Sequence, residues 1–586
     1  MYYLKNMIKN LSENDEKLLK SIYEPKVVAV PPCDACRSIA VAPDGEIRIY
    51  GSINRVEQED VGTGVYISSY DCGLSWKTKL LKSNKTLCAA GYNPKTGRYI
   101  SSYPDEYRRD AYEAFGLDGT WAILNDEGFG GENNRFVKLT DKHIHIMKQP
   151  YFFEDIDRWI ILGQYRNETG ETHIMVSYSD DDGESWTTNI LEKYAPVFEV
   201  KPPHKGLRWE QYSCEPSMVR LDSGEMVMIV RTAQDYHYKY RSLDNGETWT
   251  GPEITNFHGT ITMPLLYKLS DGRILFFWCN TQPLAELDHE KTWPELDPDA
   301  KKGIWEDVFT NRDANHLAVS EDNGKTWRIR ELYLNSLRNN ADFRSAGGPN
   351  SRDKSVHQAQ IAELPFNKIL IHFGQNDICR KVVILDLDWL YETERHEDFR
   401  FGLANVSTHM YVKSNLGSYR GFSGHCAYNR TNGALLVQDP DGNSEEALQI
   451  CRVEDERLVY KKQGVVWNFP ASERGEVSVK LRVNGNGVAV SLSDHWFNAC
   501  DEYAPEMSHI SFNMTEKTVN GWDVLTIKYD TAKMFGEIYI NSELVKTVQI
   551  SLSAPYGLSY LHIQTLAESE DTEGTLIKRM DKLVWR

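Results

Sequence analysis

Short runs of alternating apolar and polar residues, separated by turns, cover most of this chain. In six places such a run is followed by a tight turn and a second apolar run. The six stretches begin at Arg37, Leu87, Gln149, Glu215, Met263 and His357. Alternation with a period of two indicates β-strands, and the turn makes each stretch a hairpin. Their spacing, roughly 45 to 95 residues, predicts a repeat architecture.

A second pattern, S-x-D-x-G-x-[ST]-W, lies between the hairpins. It occurs at residues 69–76, 179–186, 242–249 and 320–327. The aspartate of such a segment can accept hydrogen bonds from the backbone of a tight turn, and the glycine supplies a positive φ. The tryptophan can pack under the returning strand. We therefore expect the four aspartates to hold turns and to take no part in chemistry, namely Asp71, Asp181, Asp244 and Asp322.

This segment is the Asp box of the sialidase (neuraminidase) superfamily, which residues from about 30 to 385 resemble in their repeat pattern. The resemblance implies an all-β fold, a six-bladed β-propeller in which the first strand of each blade lines a central channel. We predict the propeller over residues 30–400, after an N-terminal segment at 1–29. The gaps at 281–310 and 331–355 are expected to be loop insertions on one face, which is usually the functional side.

Residues 401–586 alternate strongly and contain Asn-Gly turns, as in the stretch 476–493. This pattern predicts a second all-β unit, a β-sandwich that follows the propeller. The unit resembles a concanavalin-type jelly roll. Carbohydrate binding and a role in packing or oligomerisation are both compatible with it.

Composition narrows the class of partner. The chain has 85 acidic and 66 basic residues and a formal charge of −19, whereas proteins that bind nucleic acids or anionic membranes present basic surfaces. We therefore expect neither nucleic acid nor membrane as a partner. The N-terminal segment interleaves lysines with acids and has no apolar core, so we expect a cytoplasmic location. A small anionic substrate is compatible with this net charge, because a few arginines that face inward can make the local electrostatic potential positive.

Charged residues stand at the channel ends of the predicted blades. Glu215 and Arg231 resemble the inward glutamate of sialidases and one arginine of the triad that binds the substrate carboxylate. Arg37 resembles the first arginine of that triad. The third arginine has three candidates, Arg312, Arg344 and Arg352. A planar guanidinium binds a sugar carboxylate with two hydrogen bonds and stays charged at any relevant pH.

The sequence also departs from the sialidase pattern. His357 stands where the family has its tyrosine nucleophile, and the general-acid aspartate has only Asp60 and Asp105 as candidates. The retaining tyrosine mechanism is therefore in doubt. An imidazole can act as general acid or base near neutral pH. It could remove a proton α to a uronate carboxylate, which is lyase chemistry, or orient water beside Glu215 for an inverting hydrolysis.

Other side chains are candidates for substrate contact. Gln149 begins the third hairpin and points to the channel, and the loop at 204–212 places Trp209 and Tyr212 beside Glu215, where aromatic faces could stack on a sugar. His143 and His145 share one face of a strand and could bind a metal. No carboxylate at matching spacing accompanies them, so we expect neither metal nor cofactor.

The leading hypothesis is a sialidase-like carbohydrate-active enzyme, a glycoside hydrolase that removes a terminal, acidic sugar from a glycan or oligosaccharide. Glu215 and His357 are the acid and base candidates. A polysaccharide lyase on uronate-containing glycans, for example rhamnose-glucuronate glycans, is the alternative enzyme. A propeller that binds glycan or protein without catalysis is the alternative of another class.

Overall fold

A computed structural model describes most of the chain. The described residues are 2–32, 39–50, 65–80, 90–103, 117–129, 131–196, 212–259, 261–284, 312–334, 356–374, 379–411, 430–442, 445–458 and 460–585. Two short helices begin the chain, α1 (Leu4–Asn10) and α2 (Glu13–Ser21). Ser12 caps α2 in a reciprocal capping box with Asp15. Met7 and Leu19 are fully buried, because the helices pack across the apolar residues of the first and last blades.

The strands of the first half of the ring follow in chain order. They are β1 (Lys26–Ala29), β2 (Ile39–Val41), β3 (Ile47–Tyr50), β4 (Val65–Ser69), β5 (Lys77–Leu80), β6 (Gly91–Tyr92), β7 (Tyr99–Tyr103), β8 (Thr120–Asn125), β9 (Arg135–Thr140), β10 (Tyr151–Phe153), β11 (Arg158–Arg166), β12 (Thr172–Ser179) and β13 (Thr187–Ile190). Blade 1 is β2–β5, blade 2 is β6–β9 and blade 3 is β10–β13, each antiparallel and in chain order from the inside outward.

The second half of the ring repeats this arrangement. Its strands are β14 (Cys214–Arg220), β15 (Met226–Arg231), β16 (Tyr236–Ser242), β17 (Thr250–His258), β18 (Leu265–Lys268), β19 (Ile274–Trp278), β20 (Ala314–Ser320), β21 (Arg328–Leu334), β22 (Ala359–Leu364), β23 (Lys368–Phe373) and β24 (Lys381–Asp386). Blade 4 is β14–β17 and blade 5 is β18–β21. Blade 6 takes its three inner strands from β22–β24 and its outermost strand from β1 at the N-terminus.

The described residues thus form the six four-stranded blades that the repeats predict, and each predicted hairpin supplies the two inner strands of one blade. The four Asp boxes are the predicted turns. In the first box Asp71 Oδ1 accepts a hydrogen bond from the Ser75 backbone N–H at 2.9 Å, and Trp76 Nε1 donates to the Gly73 carbonyl at 2.9 Å. The other three boxes repeat both bonds. The prediction that the four aspartates hold turns is confirmed.

A 3₁₀ helix (Leu387–Tyr391) leads from the ring into the second unit. The remaining strands are β25 (Glu394–Glu397), β26 (Val406–Ser407), β27 (Met410–Tyr411), β28 (Arg430–Thr431), β29 (Leu435–Gln438), β30 (Glu446–Arg452), β31 (Gly464–Ser472), β32 (Arg474–Val483), β33 (Val488–Ser493), β34 (Ile510–Met514), β35 (Asp523–Asp530), β36 (Phe535–Ile540), β37 (Glu543–Gln549), β38 (Leu558–Thr565) and β39 (Asp571–Val584). A single helical turn, α3 (Ala504–Met507), precedes β34.

These strands form a β-sandwich, as the alternation predicts. One sheet has the order β29-β30-β39-β32-β35-β36-β37, with β25 beside β39, and the other has the order β26-β31-β38-β33-β34. Trp467, Val479 and Ile527 are buried between the two sheets. The all-β prediction of a six-bladed propeller followed by a sandwich is confirmed. Strand β25 already belongs to the sandwich, a few residues before the boundary predicted at 401.

The sandwich docks against blade 5 through polar contacts. The Tyr560 hydroxyl donates to Glu331 Oε2 at 2.7 Å, and the backbone N–H of Trp496 donates to the Asn280 carbonyl at 2.9 Å. Tyr411 and His409 reach Asp313, which follows Arg312 in the chain, at 2.6 and 3.2 Å. The second unit therefore supports the blade that carries Arg312. Within the described range, the helices are too short or too polar to cross a membrane.

Candidate functional site

Blade 4 brings Glu215 and Arg231 into direct contact. Cys214, at the start of β14, is opposite Arg231, at the end of β15, and a bulge follows in β14 before Ser217. The bulge turns Glu215 toward its neighbour, so that Arg231 Nη1 lies 2.9 Å from each carboxylate oxygen. The two residues are 7% and 5% exposed. The pair is therefore a largely desolvated ion pair at the channel end of the blade.

A second pair joins blades 5 and 6. The backbone N–H of Met263 donates to His357 Nδ1 at 3.3 Å, and Arg312 Nη1 lies 3.4 Å from His357 Nε2. A backbone amide can only donate, so Nδ1 is an acceptor and the proton of a neutral imidazole is on Nε2. A guanidinium also only donates. The two donor nitrogens therefore lie 3.4 Å apart, and an oxygen to one side of both could accept from both.

Cys214 connects the two pairs electrostatically. Burial raises the pKa of its thiol; the charges of Arg231 and Arg312 lower that pKa, and the charge of Glu215 raises it. The thiol stays protonated at neutral pH and is not a nucleophile. The charges of both guanidiniums and of the carboxylate act on this one side chain, so we consider the two pairs from blades 4, 5 and 6 together. We call Glu215, Arg231, Arg312 and His357 the channel cluster.

Strained backbone accompanies the channel cluster. Glu215, Ile261 and Gln358 have φ values of 47°, 50° and 58°, and each stands at or just before the innermost strand of its blade. Such angles are unfavourable for residues other than glycine, and most of all for β-branched isoleucine. The carbonyl of Ile261 accepts a hydrogen bond from Arg312 Nη2. Strain of this kind collects at functional sites, where the surrounding structure holds it in place.

Two further residues predicted to contact substrate, Gln149 and Tyr212, are among the described residues. Gln149 donates from Nε2 to the Ile39 carbonyl, so a residue of blade 3 reaches the inner strand of blade 1 across the channel. Tyr212 packs edge-on against Tyr194, with ring centroids 4.8 Å apart, and lies two residues before Cys214. Arg37, Trp209, Asp60, Asp105, Arg344 and Arg352 lie outside the described residues.

The structure adds three polar groups that no sequence motif singled out. Gln164 Oε1 accepts the Glu215 backbone N–H at 2.6 Å, which fixes the bulge from blade 3. His237 is fully buried beside Arg231, and burial lowers its pKa to about 4. Asp313 is fully buried behind Arg312 and holds Tyr411. Their roles depend on tertiary contacts, which the sequence pattern alone does not show.

His143 and His145 have different contacts in the structure. His143 Nε2 lies 3.1 Å from Asp118 Oδ1, in an exposed contact at the edge of blade 2. His145 exchanges backbone hydrogen bonds with Gln164. The pairing of an exposed histidine with one carboxylate is an ordinary surface contact.

Comparison with known proteins gives one family match. The sequence model of the BNR repeat-like domain matches residues 126–346. The chain is similar to a solved structure of unknown function from Dyadobacter fermentans, at 16% identity over 62% of this chain and 97% of that one, with a TM-score of 0.37. It is also similar to Trypanosoma rangeli sialidase in complex with 2,3-difluorosialic acid, at 11% identity over 95% and 91% of the two chains, with a TM-score of 0.33. No curated protein matches the chain.

Proposed function

We propose that this chain, in which residues 126–346 match the BNR repeat-like domain, is a glycoside hydrolase of the sialidase superfamily that removes a terminal, acidic sugar from a glycan or oligosaccharide. The channel cluster is the observation that carries the proposal. It places two guanidiniums, one carboxylate and one imidazole at the inner ends of three neighbouring blades. A propeller that served only as a scaffold would not need charged groups at these buried positions.

The charge of the channel cluster supports an anionic substrate. Arg231 and Arg312 outnumber the one carboxylate among its members, Glu215. A sugar carboxylate that enters beside Arg312 would accept hydrogen bonds from Arg312 and His357. Charge-assisted bonds of this kind are about twice as strong as neutral ones, so binding would be selective for the ionised sugar.

The cluster also suggests how the glycosidic bond is cleaved. His357, with its Nε2–H facing the site, would donate a hydrogen bond to the oxygen of the leaving group as the C–O bond breaks, and that oxygen would take its proton from solvent. Glu215 would accept a proton from the water molecule that forms the new bond to the anomeric carbon. Arg231 holds Glu215 in position for this role through its contacts of 2.9 Å with both carboxylate oxygens.

The tautomer of His357 supports hydrolysis over elimination. A lyase needs an unprotonated ring nitrogen that faces the carbon acid of a uronate. In the neutral imidazole that nitrogen is Nδ1, and it already accepts the Met263 backbone N–H. A proton donor at Nε2 suits a leaving oxygen better than it suits a carbon acid.

The test is product release from a panel of sialosides and uronate oligosaccharides, followed by chromatography and ultraviolet absorption. The proposal expects a free acidic monosaccharide without ultraviolet absorption. An unsaturated, absorbing product would identify a lyase instead. Glycan binding without any product, unchanged in Glu215→Gln, would identify a non-catalytic propeller and overturn the proposal.

A further inference from the structure

A cavity of about 430 Å³ lies where the outer rim of blade 5 meets the sandwich. The propeller supplies one wall, from the fourth Asp box. The sandwich supplies the other wall, from the turn between β31 and β32, the segment before β38 and the end of β39. We call this cavity the rim cleft, and its lining includes Trp327, Arg328, Ser472, Arg474, Tyr556 and Trp585.

The rim cleft is separate from the channel cluster. Arg312 stands two residues before β20, whereas the fourth Asp box begins at Ser320, the last residue of that strand. A strand of seven residues is about 23 Å long. One sugar unit therefore cannot contact both places, and no member of the channel cluster lines the rim cleft.

The walls of the rim cleft are fixed to each other. The backbone N–H of Glu331 in β21 donates to Asn468 Oδ1 in β31 at 3.1 Å. Tyr556 stacks on Phe257 of blade 4, with ring centroids 5.1 Å apart and 25° between the ring planes. Ala471 packs against the same apolar core of blades 4 and 5. The cavity is therefore preformed, as sites for small molecules usually are.

Three aromatic side chains line the rim cleft. Trp327 packs edge-on against Phe257, with ring centroids 5.5 Å apart. Among the described residues, Phe257 is the one ring that Tyr556 contacts. Trp585 is half-buried, and its backbone N–H donates to the Arg474 carbonyl at 3.4 Å, which holds it beside the turn between β31 and β32. Aromatic surface surrounded by polar groups suits the C–H face of a sugar ring.

Ser472 gives the rim cleft a buried hydrogen-bond donor. Lys582 Nζ donates to the Tyr529 hydroxyl at 2.7 Å, and that hydroxyl lies 2.8 Å from Ser472 Oγ. Within the described part of the chain, Ser472 Oγ is the acceptor left for the phenol proton, so Tyr529 donates to Ser472. The proton of Ser472 is then available to a ligand. Ser472 is 8% exposed, and a donor at the end of such a buried chain is strengthened by the bonds behind it.

Charges of both signs line the rim cleft, which favours a neutral ligand. Arg328 and Arg474 stand against Glu321, Asp322 and Glu473. Asp322 is occupied by the backbone and hydroxyl of its own turn. Neither arginine has an ion pair with any described residue. An anion would gain little net attraction here, whereas a sugar hydroxyl both donates and accepts and can bond to groups of either sign.

We infer that the rim cleft binds a neutral sugar unit of a glycan. The aromatic rings pack on the C–H face of the sugar, Ser472 donates to one hydroxyl, and Arg328 and Glu473 donate to and accept from others. This site takes no part in bond cleavage, so the inference goes beyond the proposed hydrolysis. The two sites differ in charge preference, acidic in the channel and neutral at the rim.

The test is titration calorimetry and saturation-transfer NMR of the full wild-type chain with lactose, cellotetraose, mannotriose and N,N′,N″-triacetylchitotriose. At least one of these sugars should bind. Trp585→Ala and Arg474→Gln should each weaken that binding by about 10-fold or more, because tryptophan and arginine side chains contribute most at binding sites. Arg474 is exposed, so its replacement tests the cleft without disturbing the fold.

Trp522→Ala is the matched control. Trp522 is another half-buried tryptophan of the sandwich, and it lies outside the rim cleft. Both tryptophans have a lysine near the ring, Lys578 at 5.5 Å from Trp522 and Lys528 at 5.9 Å from Trp585. Trp522→Ala should bind the sugar as the wild type does.

Charge preference gives a second readout. Oxidation of the primary alcohols of the bound sugar to carboxylates should leave its affinity unchanged or lower it. No binding of any of these sugars by the wild type overturns the inference. Equal binding by Trp585→Ala, an equal loss in Trp522→Ala, or tighter binding of the oxidised sugar overturns it as well.

The neutral sugars lack the carboxylate that the channel cluster is proposed to bind, so the two proposals fail separately. Binding of a neutral sugar without any hydrolysis of acidic glycans would contradict the proposed function alone. Hydrolysis of acidic glycans without binding of a neutral sugar would contradict this inference alone.

Discussion

Arg231 contacts both carboxylate oxygens of Glu215 through a single nitrogen, Nη1, at 2.9 Å each. The two residues lie 16 positions apart, at the start of β14 and the end of β15, and both are nearly inaccessible to water. Their contact is therefore a structural element of blade 4 as well as part of the proposed active site. Stability and activity can be measured separately to distinguish these two roles.

Replacement of Arg231 by methionine is expected to lower the free energy of unfolding by about 3–5 kcal/mol, because the Glu215 carboxylate stays buried without its cation. Adding Glu215→Leu should recover most of that loss, since apolar groups can replace both partners of a buried pair. Both variants should be inactive. Urea unfolding followed by tryptophan fluorescence measures the stability. A double variant no more stable than Arg231→Met would contradict this account of the pair.

Arg312 should determine the preference for an ionised sugar. We expect Arg312→Gln to lower kcat/KM for the acidic substrate about 10- to 100-fold, the effect of losing one charge-assisted hydrogen bond. The same change should barely affect the methyl ester of that substrate, which has no charge to bind. Kinetics on the acid and the ester side by side provide the measurement. An equal loss on both substrates would mean that Arg312 serves the fold and not the carboxylate.

Glu184 links blades 2 and 3 and should make stability sensitive to acid. Hydrogen bonds from Arg135 and Arg98 lower its pKa from 4.5 to about 2, in spite of a smaller opposing effect of burial. A carboxyl group whose pKa is lower in the folded state than in the unfolded state stabilises the fold at pH values above its unfolded pKa. This stabilisation is lost as the pH falls through the folded pKa. We therefore expect stability to decline between about pH 5 and pH 2.

Glu184→Gln should flatten that decline, because glutamine does not titrate. Denaturant unfolding at pH 6, 4 and 3 gives the free energy of unfolding of the wild type and of Glu184→Gln. The informative quantity is the difference between the two chains in how this free energy changes with pH. Identical pH dependence in the two chains would remove Glu184 from the explanation of acid sensitivity.

Tyr560 should secure the docking of the sandwich on blade 5. Its hydroxyl donates to Glu331 at 2.7 Å and lies 2.5 Å from His316 Nε2, and all three residues are buried. Tyr560→Phe is expected to lower the free energy of unfolding by about 1–3 kcal/mol, because the buried Glu331 loses this hydrogen bond. Tyr539→Phe is the matched control, since its hydroxyl donates to Glu537 at the same 2.7 Å on the surface. Thermal unfolding should show a clear shift for Tyr560→Phe only.

The repeat pattern predicted the blades because turn chemistry is local. An Asp box contains its own acceptor, its own residue of positive φ and its own tryptophan, so eight residues are enough to specify the turn. Register follows from the turn, which explains why the contact between Glu215 and Arg231 agrees with a hairpin drawn from sequence. The prediction of an all-β chain with six blades and a sandwich is therefore confirmed.

The sequence pattern did not predict contacts between residues that are far apart in the chain. Strand β1 closes blade 6 by pairing Lys26 with Ile384. The four residues of β1 are too few to indicate a partner strand so far along the chain. The contact of Arg312 with His357 depends in the same way on how separate elements are packed. A period of two identifies strands, and it does not tell which loops meet in the folded molecule.

The most direct test of the central claim is the effect of Glu215→Gln on turnover of an acidic glycan. The account predicts that the wild type releases the sugar and that Glu215→Gln lowers kcat/KM by at least about 100-fold, as loss of an acid or base group does. Arg158→Gln is the matched control, since it breaks a similar ion pair with Asp180, at 2.6 Å, on the outer side of blade 3. This control should keep its activity. Equal turnover by wild type and Glu215→Gln would contradict the assignment of the channel cluster as the active site.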